Sequence, residues 1–208
     1  ETEAASADTL WMIAGSYADA SDEGIKVYRF NQKTGEAVYR GGLRGVSNPS
    51  FLHPSANGTR VYAVSENEAE DSKLVALSFD KATGNLHIQN EQPTHGAAPC
   101  YVNVSPNGQY AVTANYNGSS ITVFPIDSLG RLQPGEVIAF RGKGPDRERQ
   151  GCSHLHCVYF TPDHRFLLAN DLGADCIHVF PLQGEGLQLD RRHATQIKLA
   201  PGSGPRHA

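Results

Sequence analysis

Apolar positions along the chain recur in short, evenly spaced runs. Ile25-Val27-Tyr28-Phe30, Leu74-Ala76-Leu77-Phe79, Ile121-Val123-Phe124-Ile126 and Ile177-Val179-Phe180-Leu182 share one spacing. Each run is β-rich and bounded by turn residues, which predicts strands. After each comes a Gly-containing turn and another short segment, at Thr34-Gly35, Thr83-Gly84, Leu129-Gly130 and Gly184-Glu185-Gly186.

A second phrase repeats in register with the first. Asn48-Pro49-Ser50-Phe51-Leu52-His53-Pro54, closed by Asn57-Gly58 and followed by Val61-Tyr62-Ala63-Val64, returns as Pro99 to Gly108 before Tyr110-Ala111-Val112. It returns again as His154 to His164 before Phe166-Leu167-Leu168-Ala169, and starts once more at Pro205-Arg206-His207. The period of about 50 residues lies in the range of propeller blades. One unit reads as strand, turn, strand, loop, strand, turn, strand, so the expected fold is all-β: a β-propeller of four-stranded antiparallel blades, about four of them in this chain.

The unit boundaries raise the question of closure. The first unit enters at Leu10-Trp11-Met12-Ile13-Ala14 without an inner strand, and the last reaches only Ala208. Two readings follow: the chain is the N-terminal portion of a larger ring, or Pro205 to Ala208 swing back to complete the first blade and close a four-bladed ring. The first is preferred, because four residues are too few for a strand and its turn. Residues 1–9 are read as a polar N-terminal tail and 10–208 as part of a single propeller domain.

With 39% hydrophobic residues, 21 Gly and 12 Pro, the chain has core enough to fold and turns enough for many short strands. No window approaches the roughly 18 uninterrupted apolar residues of a membrane helix, and a formal charge of −4 gives no general attraction to phosphate backbones. Neither nucleic acid nor membrane is an expected partner. Cys100, Cys152, Cys157 and Cys176 follow no C-x-x-C spacing and are read as free thiols. The polar start, which lacks an initiator Met, fits either a trimmed chain or a mature end after signal-peptide removal. The cytoplasm is the expected compartment, and the periplasm or export the alternative.

Gly15-Ser16-Tyr17, Tyr62-Ala63-Val64-Ser65-Glu66, Ala114-Asn115-Tyr116-Asn117-Gly118, Arg149-Gln150 leading to His154-Leu155-His156, Ala169-Asn170-Asp171-Leu172-Gly173 and Gly202-Ser203-Gly204-Pro205-Arg206-His207 together resemble the lactonase family of seven-bladed propellers. That family includes propeller-type 6-phosphogluconolactonases and the fungal 3-carboxy-cis,cis-muconate lactonizing enzyme. The resemblance implies seven blades in the intact protein and carries catalytic roles to His156 and Arg206.

Register leads to the same pair. Aligning the units puts Ser50, Cys100, His156 and Arg206 at one position on the innermost strand, facing the central channel. Lactone opening needs a base for water and a positive group for the charge that develops on the carbonyl oxygen. Imidazole supplies the first near neutral pH, and guanidinium supplies the second while anchoring a carboxylate or phosphate.

Further residues are candidates for substrate contact. His154, two residues before His156, would share its face in a regular strand; no carboxylate or Cys is seen at ligand spacing beside it, so no metal and no cofactor is expected. His207 is expected to point away, into the blade. Asn115 and Asp171 stand in register at the ends of second strands and serve either in binding or as turn residues; Glu66 follows one place later. Arg149 belongs to the polar loop Arg141 to Gln150, which precedes His154 and would cover the channel mouth.

The expected activity is hydrolysis of a small anionic sugar lactone such as 6-phosphogluconolactone, the expected partner being a small anionic lactone or sugar acid, with the 208-residue chain alone inactive. A muconate-type lactonizing cycloisomerase and a non-catalytic binding scaffold are the alternatives. Nothing in the sequence speaks to oligomeric state.

Overall fold

The computed structural model describes residues 8–208. The N-terminal tail read from the sequence lies outside the described residues up to position 7, and its last position, Thr9, already opens the first strand. Four antiparallel sheets follow one another along the chain. The first contains β1 (Thr9–Ala14), β2 (Ile25–Asn31) and β3 (Ala37–Leu43). The second contains β4 (Leu52–Pro54), β5 (Arg60–Ser65), β6 (Lys73–Phe79) and β7 (Leu86–Pro93). The third contains β8 (Pro99–Val104), β9 (Tyr110–Asn115), β10 (Ser120–Pro125) and β11 (Glu136–Ala139).

The fourth sheet contains β12 (Leu155–Phe160), β13 (Phe166–Asp171) and β14 (Cys176–Gln183). Besides β13, two strands pair with β14: the short β15 (Gln188–Leu189) at its far end and β16 (Thr195–Lys198) along its start. Successive strands within each sheet are joined as hairpins in register, the meander expected of a blade.

Side-chain alternation stacks the sheets. In the second sheet Val61, Ala63, Val75 and Leu77 join Ile25 and Val27 of the first sheet in one buried cluster. Their neighbours Tyr62, Val64, Leu74 and Ala76 point the other way and join Val102, Ala111 and Phe124 of the third. Val112, Ala114 and Ile121 of the third sheet meet Leu155, Leu167 and Ala169 of the fourth. A sheet covered on both faces needs apolar residues at consecutive positions, which is why β5 and β9 are buried almost throughout.

The closure of a four-bladed ring does not occur. Among the described residues β1 pairs only with β2, and 205–208 carry no strand pairing; His207 lies instead against Tyr101, with ring centroids 5.8 Å apart.

The Pro/Asn-Gly landmark is a turn in the left-handed region. Gly58 and Gly108 take φ of 68° and 71°, and His164 takes 57° at the same place in the fourth sheet. Space is open around Gly108, with nothing within 4 Å of an added Cβ. Gly108→Ala therefore isolates backbone strain, and urea denaturation is expected to show a loss of about 1 kcal/mol with an unchanged m-value.

Candidate functional site

One extra residue at the start of the inner strands β8 and β12 builds the site. In β12 and β13, Leu155 faces Asp171 and Cys157 faces Asn170, which leaves His156 without a partner. In β8 and β9, Pro99 faces Asn115 and Tyr101 faces Ala114, which leaves Cys100 unpaired in the same way. A β-bulge frees a residue from the ladder and re-aims its side chain. Both bulges are closed by an equivalent backbone bond, Tyr116 N to Ala98 O at 2.9 Å and Leu172 N to His154 O at 2.9 Å, and in the second sheet, which has no bulge there, Glu66 N donates to Asn48 O at 3.0 Å in the same place.

These bonds set Glu66, Tyr116 and Leu172 beside the freed residues. Together with Ser50, Cys100, His156 and Arg206 they line a cavity of about 540 Å³, which Arg149, Tyr17, Phe51 and His207 complete. Four of the residues singled out in the sequence, Glu66, Arg149, His156 and Arg206, thus meet in one space.

Arg206 brings positive charge to His156, and Arg149 lines the same cavity. Burial, reinforced by Arg206 and His207, pulls the His156 imidazole down to about 4, so it is neutral at pH 7. Its Nδ1 is buried and has no hydrogen-bond partner among the described residues. The edges of His207 and Tyr116 meet its ring at 5.1 and 5.7 Å.

In the same lining the Glu66 carboxylate accepts hydrogen bonds from Tyr17 Oη at 2.9 Å and from Ser50 Oγ, and Cys100 Sγ lies 3.6 Å from His156 O. Burial first, and Glu66 second, push Cys100 up to about 12, so it stays a thiol and is no nucleophile.

The remaining candidates lie elsewhere. His154 does not share a face with His156, because the bulge between them breaks the two-residue alternation. Its ring stacks on Tyr116 at 4.2 Å, with Nδ1 2.8 Å from Tyr116 O, and so supports a wall of the cavity from behind. The sequence reading of an isolated imidazole is also corrected: Cys152 Sγ lies 3.6 Å from His154 Nε2.

Asn115 is fully buried inside the third sheet and bonded to Thr113, Ser120 and Thr122. Asp171 is fully buried inside the fourth, where it accepts from His154 N at 2.9 Å and pairs with His178 at 3.1 Å. Burial opposes the Asp171 charge, yet hydrogen bonds led by His178 hold its pKa below the ordinary carboxylate value.

Three contributors escaped the sequence reading. Tyr17 stands 49 residues before Glu66 and is its counterpart in the first sheet; the period itself contained that signal. His207 turns into the cavity because 205–208 are not strand, so alternation does not govern them. Asp175 is a brace: it accepts from Gln150 Nε2 at 2.6 Å, Gly202 N at 2.6 Å and Gly204 N at 2.8 Å. It thereby ties the loop of Arg149 to the segment of Arg206.

A propeller-like stack of blades with a cationic, imidazole-bearing cavity at its inner strands defines a protein class suited to small anions. The chain belongs to the family described as "Lactonase, 7-bladed beta-propeller", whose model matches residues 11–208. It is 34% identical over 200 residues to a 6-phosphogluconolactonase of Formosa agariphila, covering 94% of this chain and 57% of that protein. A solved structure from Bacteroides fragilis, assigned provisionally as a 6-phosphogluconolactonase, superposes with a TM-score of 0.89 at 45% identity, covering 97% of this chain and 58% of that one. The periplasmic gluconolactonase of Pseudomonas aeruginosa gives 0.83 at 31% identity, over 96% and 57%. The chain spans little more than half the length of these relatives.

Two outcomes test the geometry. Imidazole resonances should titrate for His156 near pH 4. The midpoint should rise when inorganic phosphate binds beside Arg206, or when Arg206 is replaced by Ala, since either change removes a positive neighbour. Because the folded pKa is below the ordinary 6.5, the unfolded chain takes up the proton first; the stability due to neutral His156 is complete above about pH 6.5 and is lost as pH falls toward 4. Asn115→Ala, in contrast, should cost about 1–3 kcal/mol in urea denaturation by stripping partners from buried hydroxyls, while phosphate affinity stays unchanged.

Proposed function

We propose that the whole protein hydrolyses a small anionic sugar lactone, 6-phosphogluconolactone being the first substrate to try, and that this chain supplies the N-terminal blades of a seven-bladed ring. The observation that carries the reading is a neutral imidazole and a guanidinium lining one cavity, His156 with Arg206. Relatives named as 6-phosphogluconolactonases support the choice of substrate.

The steps follow from the charges. The substrate's phosphate docks at Arg206, with Arg149 beside it. Its negative charge offsets the guanidinium and raises the proton affinity of His156, which makes the imidazole a better base at the moment it is needed. Water adds to the lactone carbonyl carbon as His156 takes its proton. The tetrahedral oxyanion collapses, the ring C–O bond breaks, and the departing alkoxide recovers the proton from His156. The product is the open-chain acid, and no cofactor enters.

Glu66, with Tyr17 and Ser50, offers acceptors and hydroxyls for the sugar. We assign the protein to the cytoplasm, since four free thiols suit a reducing compartment; the relative named as periplasmic keeps the alternative open. No helix among the described residues is long and apolar enough to cross a membrane.

In the whole protein His156→Ala should lower kcat for 6-phosphogluconolactone by about 10²-fold or more, and Arg206→Ala should chiefly raise KM. Wild-type rates in both variants would remove the assignment, and turnover of a muconate-type diacid in place of the sugar lactone would move it to a cycloisomerase.

A further inference from the structure

We propose that Asp171, Cys176 and His178 form a zinc-type metal site within the fourth sheet, separate from the cavity that holds His156. Strand register puts all three donors on one face: β13 and β14 pair Asp171 with Cys176, and His178 follows two residues later. The three donor atoms lie within 4.8 Å of one another. Cys176 Sγ is 3.7 Å from His178 Nε2, which is 3.1 Å from Asp171 Oδ2.

Tetrahedral zinc with ordinary bond lengths to sulfur, nitrogen and oxygen sets its ligands about 3.4–3.6 Å apart. The thiol–imidazole and imidazole–carboxylate separations bracket that value, and the thiol and carboxylate stand within 4.8 Å of each other. Thiolate, imidazole and carboxylate form a borderline-soft set that excludes magnesium and calcium and favours zinc.

The surroundings support a held ligand set. His154 N and Ala174 N occupy Asp171 Oδ1 at 2.9 and 3.1 Å, which fixes the carboxylate and leaves Oδ2 turned toward the cluster. Phe140 packs on the His178 ring at 4.2 Å.

Ser153, 1% exposed, stands beside the Asp171 carboxylate, and its hydroxyl helps keep that carboxylate charged. A water would take the metal's fourth position. Gln196, across from His178 on β16, is the protein alternative for that position. Cys176 and Asp171 are buried while the His178 side chain is 16% exposed, which provides the way in.

Binding keeps the charges balanced. The thiol proton of Cys176 leaves to solvent, the imidazole proton moves from Nε2 to Nδ1, and a dication meets two anions. The His178–Asp171 hydrogen bond is replaced by two bonds to the ion.

Equilibrium dialysis of the chain against Zn²⁺ should find one equivalent bound, and Co²⁺ should give a thiolate-to-cobalt charge-transfer band. Cys176→Ser and His178→Ala should each weaken binding at least tenfold, whereas Cys152→Ser, which alters the other thiol–imidazole contact, should not. Zn²⁺ should raise the melting temperature of the wild type and Mg²⁺ should not. Melting in EDTA shows whether each variant folds; should Cys176→Ser fail to fold, the Co²⁺ spectrum of the wild type decides alone. No bound zinc, no charge-transfer band, or binding lost on Cys152→Ser instead would each overturn the proposal.

Discussion

Coverage of both sheet faces is the constraint from which the rest follows. In the second and third sheets alternate side chains pack against opposite neighbours, so a polar residue inside a strand must find partners within the protein or lose several kcal/mol, on the order of 2–7 without compensation. Asn115 and Asp171 obey by bonding inward. Groups that line the cavity are left where the ladder is interrupted, at the bulges and the strand ends. Cys100 and His156 occupy bulges, Ser50 precedes β4, and Glu66 and Tyr116 stand just past β5 and β9.

That constraint also explains which parts were legible in the sequence. Blades could be counted because the period-two apolar pattern and the Asn-Gly turns recur together, and register then picked out Ser50, Cys100, His156 and Arg206 as equivalents now lining one cavity. His154 was placed on the wrong face because a bulge adds one residue without any mark in composition. Asn115 and Asp171 were ambiguous because their partners come from elsewhere in the chain, for example Ser120 on the next strand and His178 on β14. Tyr17 was passed over because its unit lacks the inner strand that carries the landmark. The Cys176–His178 pair has no linear metal motif, since its carboxylate arrives from across a hairpin.

Electrostatics give the cavity its direction. Burial first, and Arg206 second, lower the proton affinity of His156, so an anion set beside Arg206 would offset the second of these causes and make the imidazole a stronger base. Glu66 lines the same cavity with its carboxylate engaged by Tyr17 and Ser50.

Holding two arginines near one histidine requires support that long side chains on loops do not provide by themselves. Asp175 gives it, almost buried and bonded to Gln150, Gly202 and Gly204. Burial alone would discourage its charge, and the glycine amides outweigh that, leaving its pKa below the usual value. A charged acceptor is needed because two oxygens must serve three donors from two separate segments. Asp171, four residues earlier, performs the same service for His154 N at the entry to the His156 bulge. The hairpin between β13 and β14 therefore braces the cavity through two carboxylates that never reach it, and rigidity there governs where His156 and both arginines stand.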